Sequence, residues 1–557
     1  MHPRTVALAL VLSVSATLEV GCAHRRQAEI AAPREPPTVR DLDDFAIALN
    51  EFALMTELDP SRAPFRDALI NFLVHYIDAN LEGEDHQEAL TALQFAAALY
   101  TPSELQSGTT PQPELARSAR KLYKLAARHG NEQPAFFALA IIQQFGGEAE
   151  RKQAIEDWKE IEDWVLRNAF YADEPLLRHE ELQASMYETA VIFPAPFVVK
   201  RLSDLYLARY QAAVRASDDS SALGMEARRR AEYTSYLLAR LYLRADDLDG
   251  AVVALKQMKD DVISRRGAEL IVLARDDDKS AEALLTLAAQ FKPEEDDATA
   301  EHMPSQLTES WGIVENLARR AVRKFPNDAS AHLLYAEALR QSGLVEAAIH
   351  HFEQALDRRE DIFEVWQQLA VLKQTQLARL GERDPKAAIK LLGQLETFHK
   401  RAAQLWRDRP IEPGLPVAYY TVALMLYNAG EVDRARALLD KSLALEPQPG
   451  ALELLATIEY KSGRFDQAAG HYQALLGLPF EHQLHRLRWE TSARAGLSRI
   501  ARSKGDSAES ERQLRTALSE LNTMIAFPGL SDDERSERLI ERGKLMFYAG
   551  DLEQSLA

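Results

Sequence analysis

Along the C-terminal half of the chain, small and bulky apolar positions recur in one frame around a glycine. The glycines are Gly343, Gly430, Gly463, Gly505 and Gly550. Seven residues before each stands a small residue: Ala336, Ala423, Ala456, Ser498 and Gly543. Five after each stands another: Ala348, Ala435, Ala468, Ser510 and Ser555. Nine after the first four comes a bulky residue, Phe352, Leu439, Tyr472 or Leu514. The frame predicts pairs of helices. Glycine at a helix end can take the left-handed conformation that reverses the chain. Facing small residues let the two helices approach closely, and the bulky ones fill the gap to the next pair.

The glycines are 33, 42 and 45 residues apart from Gly430 onward. The longer interval from Gly343 to Gly430 holds a looser copy, Trp366 to Ala370 followed by Gly381 and Ala388. Pro326, Pro447, Pro479 and Pro528 fall just after second helices, where proline stops a helix without harming it. Single copies show earlier, one in Leu238, Ala239, Tyr242, Leu248, Ala251 and Leu255, another in Phe136, Leu139, Ala140, Gly147, Ala154 and Trp158. Helices without the frame are expected from Phe65 to Leu99 and over residues 170–220. The pattern resembles the tetratricopeptide repeat, a helix–turn–helix unit of about 34 residues. That resemblance implies an all-α, right-handed superhelical solenoid of helix–turn–helix repeats.

The first residues carry a different signal. Arg4 precedes an apolar run from Thr5 to Leu18, too short to span a bilayer as a helix. A charged start and a short apolar stretch form the layout of a secretory signal peptide. Cys22, the sole cysteine, stands where bacterial lipoproteins carry their lipidated cysteine. Val20 and Gly21 resemble the lipobox; Glu19 departs from it, where an apolar residue is usual. Ala23 follows rather than the Asp that retains many lipoproteins in the inner membrane, so the resemblance implies the outer membrane, on its periplasmic face. Several acyl chains on one residue anchor durably. The expected organisation is a signal peptide over 1–21, lipidated Cys22 and a Pro-rich tether to 38, a divergent helical half over 39–292, an acidic linker over 293–304, and a repeat array over 305–557. Phe193-Pro-Ala-Pro-Phe197 is expected to kink the array, not to end a domain.

The formal charge is −19, which argues against a nucleic-acid partner, since nucleic acid requires a basic footprint. It is uneven: residues 1–300 hold 49 acidic and 33 basic side chains, residues 301–557 hold 36 and 33. The acidic half could meet a basic partner.

Reactive signatures are missing from the sequence: there is no phosphate-binding Gly-Lys loop and no Gly-x-Ser-x-Gly elbow. His179-Glu-Glu-Leu-Gln183 starts like a zinc-peptidase helix but lacks the second histidine. His482 and His485, with His471 nearby, have no third ligand at recognisable spacing. Asp246-Asp247 and Asp276-Asp277-Asp278 are read as helix caps. No enzyme, cofactor, metal or small-molecule substrate is expected.

Binding is what tetratricopeptide arrays do. The resemblance turns the first helix of each pair toward a groove, which here collects Glu337, Arg340, Tyr420, Tyr427, Asn428, Tyr460, Lys461, Arg499, Arg502 and Lys544. Five are basic and three are tyrosine, in an acidic protein; tyrosine and arginine are common interface anchors. Such a groove suits an extended acidic segment or a C-terminal carboxylate. The chaperone-type carboxylate clamp is absent, since Ser330, Val417 and Gly450 occupy its places. Arg436 is expected on the solvent face. The layout resembles the tetratricopeptide lipoproteins of myxobacterial gliding-motility complexes and implies a scaffold among other envelope proteins. A pilotin-like factor for a secretin or pilus, a barrel-assembly subunit and an unrecognised hydrolase are the alternatives.

Overall fold

The computed structural model describes residues 45, 48–50, 52–54, 63–83, 85–108, 111–168, 175–216, 222–257, 262–293, 304–380, 384–527 and 530–549. The signal peptide, Cys22, the tether, nearly all of the acidic linker, Gly381, Pro528, Gly550 and Ser555 lie outside them. Every regular element among the described residues is a helix, and the architecture is an all-α helical-repeat solenoid. Two compact units divide at Val365–Trp366.

The first unit holds α1 (Ala63–Glu82), α2 (His86–Ala98), α3 (Pro102–Ser107), α4 (Pro113–His129), α5 (Glu132–Phe145), α6 (Glu148–Asn168), α7 (Pro175–Ile192) and α8 (Pro196–Ala216). It continues with α9 (Ala222–Arg244), α10 (Leu248–Gln257), α11 (Val262–Asp276), α12 (Glu282–Ala289), α13 (Pro304–Lys324), α14 (Ala329–Gln341) and α15 (Val345–Arg358). The division falls inside α16 (Phe363–Leu380). The second unit continues with α17 (Pro385–Leu405), α18 (Leu415–Asn428), α19 (Val432–Leu445), α20 (Pro449–Lys461), α21 (Phe465–Leu476), α22 (Gln483–Ser503), α23 (Ser507–Ile525) and α24 (Asp532–Ala549).

Helix starts follow side-chain chemistry. Asp328, Asp384 and Asp506 each accept a backbone N–H of the first turn of α14, α17 or α23. Helix ends follow the frame: Gly343, Gly430, Gly463 and Gly505 have φ of +74°, +81°, +74° and +81°. Behind each, the next amide donates to a carbonyl five residues back, as Glu431 N–H does to Leu426 at 2.8 Å. This is the Schellman turn, which satisfies orphan carbonyls while reversing the chain. Asp246 makes the same turn at φ +57°, with Asp247 N–H on the Tyr242 carbonyl at 2.9 Å. Ala239, Ala251 and Leu255 therefore hold the frame around an aspartate.

One expected turn is corrected. Gly147 is not left-handed, and Gly130 is, at φ +67°. Between α5 and α6 the chain passes through an extended Gly146, and Gly147 N–H donates to Glu150 Oε2 at 2.8 Å. The acidic reading also changes in part. Asp247 caps α10 through Gly250 N–H at 2.8 Å. Asp276 and Asp278 instead pair with Arg275 at 2.7 Å and Lys324 at 2.6 Å. Asp277 accepts the Lys279 amide and the Ser280 hydroxyl. α12 and α13, which flank the acidic stretch, pack on each other within the first unit. Phe193 to Ala195 joins α7 to α8, with Phe193 and Ala195 buried.

The small residues meet as the frame requires. Ala336 and Ala348, Ala423 and Ala435, Ala456 and Ala468 are fully buried. Ser498 and Ser510 are buried too, and the Ser498 hydroxyl donates to the Ser510 carbonyl at 2.8 Å. Between pairs, aromatic rings fit against glycine. A Cβ added at Gly450 would lie 2.7 Å from the Tyr420 ring, and one at Gly496 would lie 2.3 Å from the Tyr472 ring. The bare backbone lets each ring close on the next first helix.

The first unit adds buried charge to this scheme. Glu309 on α13 accepts Arg240 Nε from α9 at 2.6 Å and the Tyr187 hydroxyl from α7 at 2.7 Å. Arg240 also reaches Ser310 Oγ at 2.8 Å. Burial, then the Glu309 charge, pushes the Tyr187 phenol far up, so it remains a donor.

Candidate functional site

The ten groove positions do not all lie in one unit. Glu337 and Arg340 sit on α14 in the first, where Glu337 takes the Lys292 ammonium at 2.6 Å. The other eight lie in the second. There, successive first helices touch, α18 with α20 and α20 with α22. Lys461 Nζ donates to the Tyr427 hydroxyl at 2.6 Å and lies 5.1 Å from its ring centre. One repeat further, the Arg499 guanidinium lies 5.9 Å from the Tyr460 ring, and the Tyr460 hydroxyl is 3.2 Å from Ser503 Oγ. Twice in succession, a tyrosine near the end of one first helix meets a cation of the next. Asn428, Lys461, Arg499 and Arg502 are exposed beside these half-buried rings.

Two expected positions play other parts. Tyr420 is packed on Gly450, and its phenol is raised by burial first and the Glu453 charge second, against Arg488. It floors the strip. Lys544 is exposed on α24, further along the chain. Sequence reading missed Leu424, an exposed leucine between Tyr420 and Tyr427. Spacing of four and three residues sets all three on one face of α18, which was the available signal. It also missed Glu453, half-buried on α20, which accepts the Ser492 hydroxyl. A strip with two aromatic–cation pairs, one exposed leucine and a carboxylate floor can hold a chain segment by stacking and by charge-assisted hydrogen bonds.

Arg436 is another correction. Its guanidinium lies 3.0 Å from Glu459 Oε1, a carboxylate only 1% exposed, which Arg464 grips from the other side. The position is a lid on a buried charge, not a bare solvent face.

The histidines divide. His482 and His485 stand edge-on with ring centres 6.0 Å apart. Among the described residues, no group of three or more His, Cys, Asp or Glu is placed to hold a metal. His332 and His351, unremarked in the sequence, form a buried pair with Nδ1 atoms 2.9 Å apart. His332 Nε2 donates to the Pro326 carbonyl at 3.0 Å, so its Nδ1 accepts from His351. Burial, ahead of nearby cationic groups, pushes His351 well below the usual imidazole range. His332 is lowered as well, by burial first.

A tetratricopeptide-repeat family profile matches residues 315–361 and 420–479. Those two segments are tetratricopeptide repeats. The first contains the His332–His351 pair and the second the Tyr427–Lys461 pair. No curated protein matches the chain. Among solved structures, PilW, a widely conserved type IV pilus biogenesis factor, is 16% identical over 46% of this chain and 97% of its own, with a TM-score of 0.24. Yeast Tom70 is 11% identical over 98% and 97%, with a TM-score of 0.25. The Cut9–Hcn1 assembly of APC/C is 13% identical over 91% and 94%, with a TM-score of 0.26. Likeness at these scores carries no argument about function.

Proposed function

We propose that this protein is a non-catalytic interaction scaffold whose second unit holds an extended acidic segment of a partner protein. The observation that carries this reading is the repeated contact of tyrosine with a cation, Tyr427 with Lys461 and Tyr460 with Arg499. Each contact holds a flat ring beside positive charge, and exposed Leu424 offers a seat for one apolar side chain among the acidic ones. The layout of the first residues supports lipid attachment through Cys22 at the periplasmic face of the outer membrane. Layout also supports a place among other envelope proteins in a machine of the gliding-motility kind.

The test uses the full chain and a fluorescein-labelled peptide of alternating Asp and Leu. Lys461→Glu with Arg499→Glu should weaken its binding by about tenfold or more, and rising salt should weaken wild-type binding because exposed charges are screened. Asp276→Lys with Asp278→Lys, on the first unit, should leave it unchanged. Equal binding by wild type and the strip variant, with loss in the first-unit variant, would move the binding surface to the other unit. For the anchor, Cys22→Ala should release the protein from membranes; sedimentation with the outer membrane after a high-salt carbonate wash would overturn it. Cross-linked co-purification then separates motility proteins from a secretin or barrel-assembly subunits.

A further inference from the structure

A groove of about 1090 Å³ opens in the first unit between α10 and α11. Its floor is apolar: Leu255 and Ala268 are buried, and Val272 continues them. Leu273 stands at its wall with more than half of its surface exposed. The rim carries Glu269, Asp276, Asp277 and Asp278 against Lys256 and Lys279. We propose that this groove docks an amphipathic helix of a partner protein, apolar on one side and basic at the end that meets Asp276–Asp278.

Three observations select that occupant. An apolar floor between helices offers no row of backbone partners, and the described residues contain no strand edge. A helix satisfies its own amides, so it can lie on such a floor without needing backbone partners from the groove. The volume far exceeds one side chain, and it suits several apolar residues of a helix face. The charge fixes polarity. Asp276 ends α11, where the helix dipole is already negative, and two further carboxylates follow directly. Asp276 and Asp277 are both held below the usual carboxylate range, Asp276 mainly by its bond to Arg275 and Asp277 mainly by the Lys279 amide. Arg275 and Lys324 already pair with Asp276 and Asp278, so what a further cation meets at this end is Asp277 and the negative end of α11.

The inference is independent of the acidic-segment strip, and the test keeps them apart. The full chain is titrated against a fluorescein-labelled amphipathic Leu/Lys peptide of about 18 residues, five helical turns. Saturable one-to-one binding is expected. Leu273→Glu should weaken it about tenfold or more, and Asp276→Asn with Asp278→Asn should weaken it several-fold. Leu273 is exposed, so circular dichroism should show unchanged helicity in that variant. Lys461→Glu with Arg499→Glu should not change this binding. A photo-cross-linker on the peptide's apolar face should label Val272 or Leu273. A Leu/Glu peptide binding as tightly, equal binding by Leu273→Glu, no saturable binding, or labelling elsewhere would each overturn the proposal. Self-association of wild type that Leu273→Glu abolishes would also overturn it, by making a second copy the occupant.

Discussion

The two units solve one problem, stacking helices at close range, with different materials. In the second unit the solution is steric. Small residues meet across successive pairs, alanine in two and serine in the third, a left-handed glycine turns the chain, and a tyrosine ring lies on the glycine of the next helix. In the first unit much of the joinery is polar. Glu309 ties three helices through Arg240 and Tyr187, and Asn316 Nδ2 donates to the Arg244 carbonyl at 2.8 Å. Arg320 grips Asp246 by side chain and backbone, both at 2.7 Å. Small residues tolerate any neighbour that fits, so steric joints repeat. Each polar network serves its own place, so the first unit diverges.

The largest expected effect breaks this comparison on the polar side. Glu309→Ala leaves Arg240 buried without its carboxylate and Tyr187 without its acceptor. Removing one partner of a buried ion pair costs about 3–5 kcal/mol. Urea unfolding of the full chain should show that loss, with hydrogen exchange speeding first in α7, α9 and α13. A cost below about 1 kcal/mol would mean that the first unit, too, rests on steric packing.

On the steric side, Ala423→Leu or Ala435→Leu should overpack the α18–α19 pair by about 1–3 kcal/mol. Gly430→Ala should cost about 1–2 kcal/mol through its positive φ alone. Arg436→Ala should also be measurable, because it uncovers one side of buried Glu459. If Arg436→Ala matched a truly exposed change such as Arg515→Ala, the Arg464 contact alone would suffice for that carboxylate.

The same contrast explains what was legible in the sequence. Glycine at fixed distance from small residues is written locally, so residue spacing alone marks the turns at Gly343, Gly430, Gly463 and Gly505. Around Asp246 the frame was visible in Ala239, Ala251 and Leu255, but the left-handed turn itself was not, because aspartate enters that region far less readily than glycine. Networks were not legible at all. Val345 N–H donates to Asn50 Oδ1 across 295 positions, and no periodicity announces such a bond. In the strip, tyrosines and cations followed from first-helix position; which tyrosine met which cation did not. Glu453 was invisible because its place on α20 carries no frame. That the Tyr420 ring packs on Gly450 was not legible, because the space made by that glycine is a property of the next repeat.

A third prediction concerns pH. His332 and His351 are both held below the usual imidazole value near 6.5, so the unfolded chain takes up protons first. Their contribution is therefore complete above about pH 6.5 and is lost as pH falls below it. The charged groups acting on the pair are Arg319, His350 and Arg358, with Asp328 as the opposing carboxylate near His332. Burial also lowers His399 and His471 in the second unit, so both units should weaken in acid. Between about pH 7.5 and pH 5.5, stability of wild type should fall, and His351→Phe should flatten that slope. An unchanged slope in His351→Phe would place the acid sensitivity elsewhere.

The smallest expected effect sharpens the comparison at the strip itself. Tyr427→Phe removes the hydroxyl that accepts from Lys461 at 2.6 Å but keeps the ring beneath the ammonium. Both groups are at the surface, so stability should change by less than about 0.5 kcal/mol. Binding of the acidic peptide should respond differently. A lysine released from the phenol has all three N–H donors available for a carboxylate. It also loses the anchor that held it over the ring, and ordering it again on binding costs entropy of about 0.5–1.5 kcal/mol. If the hydroxyl serves to pre-position Lys461, Tyr427→Phe should bind the peptide a few-fold more weakly at unchanged stability. Tyr427→Ala, which removes the ring as well, should bind it more weakly still. Tighter binding by Tyr427→Phe would mean that the phenol competes with the ligand for the ammonium, and that the pair is a closed contact which the partner must open.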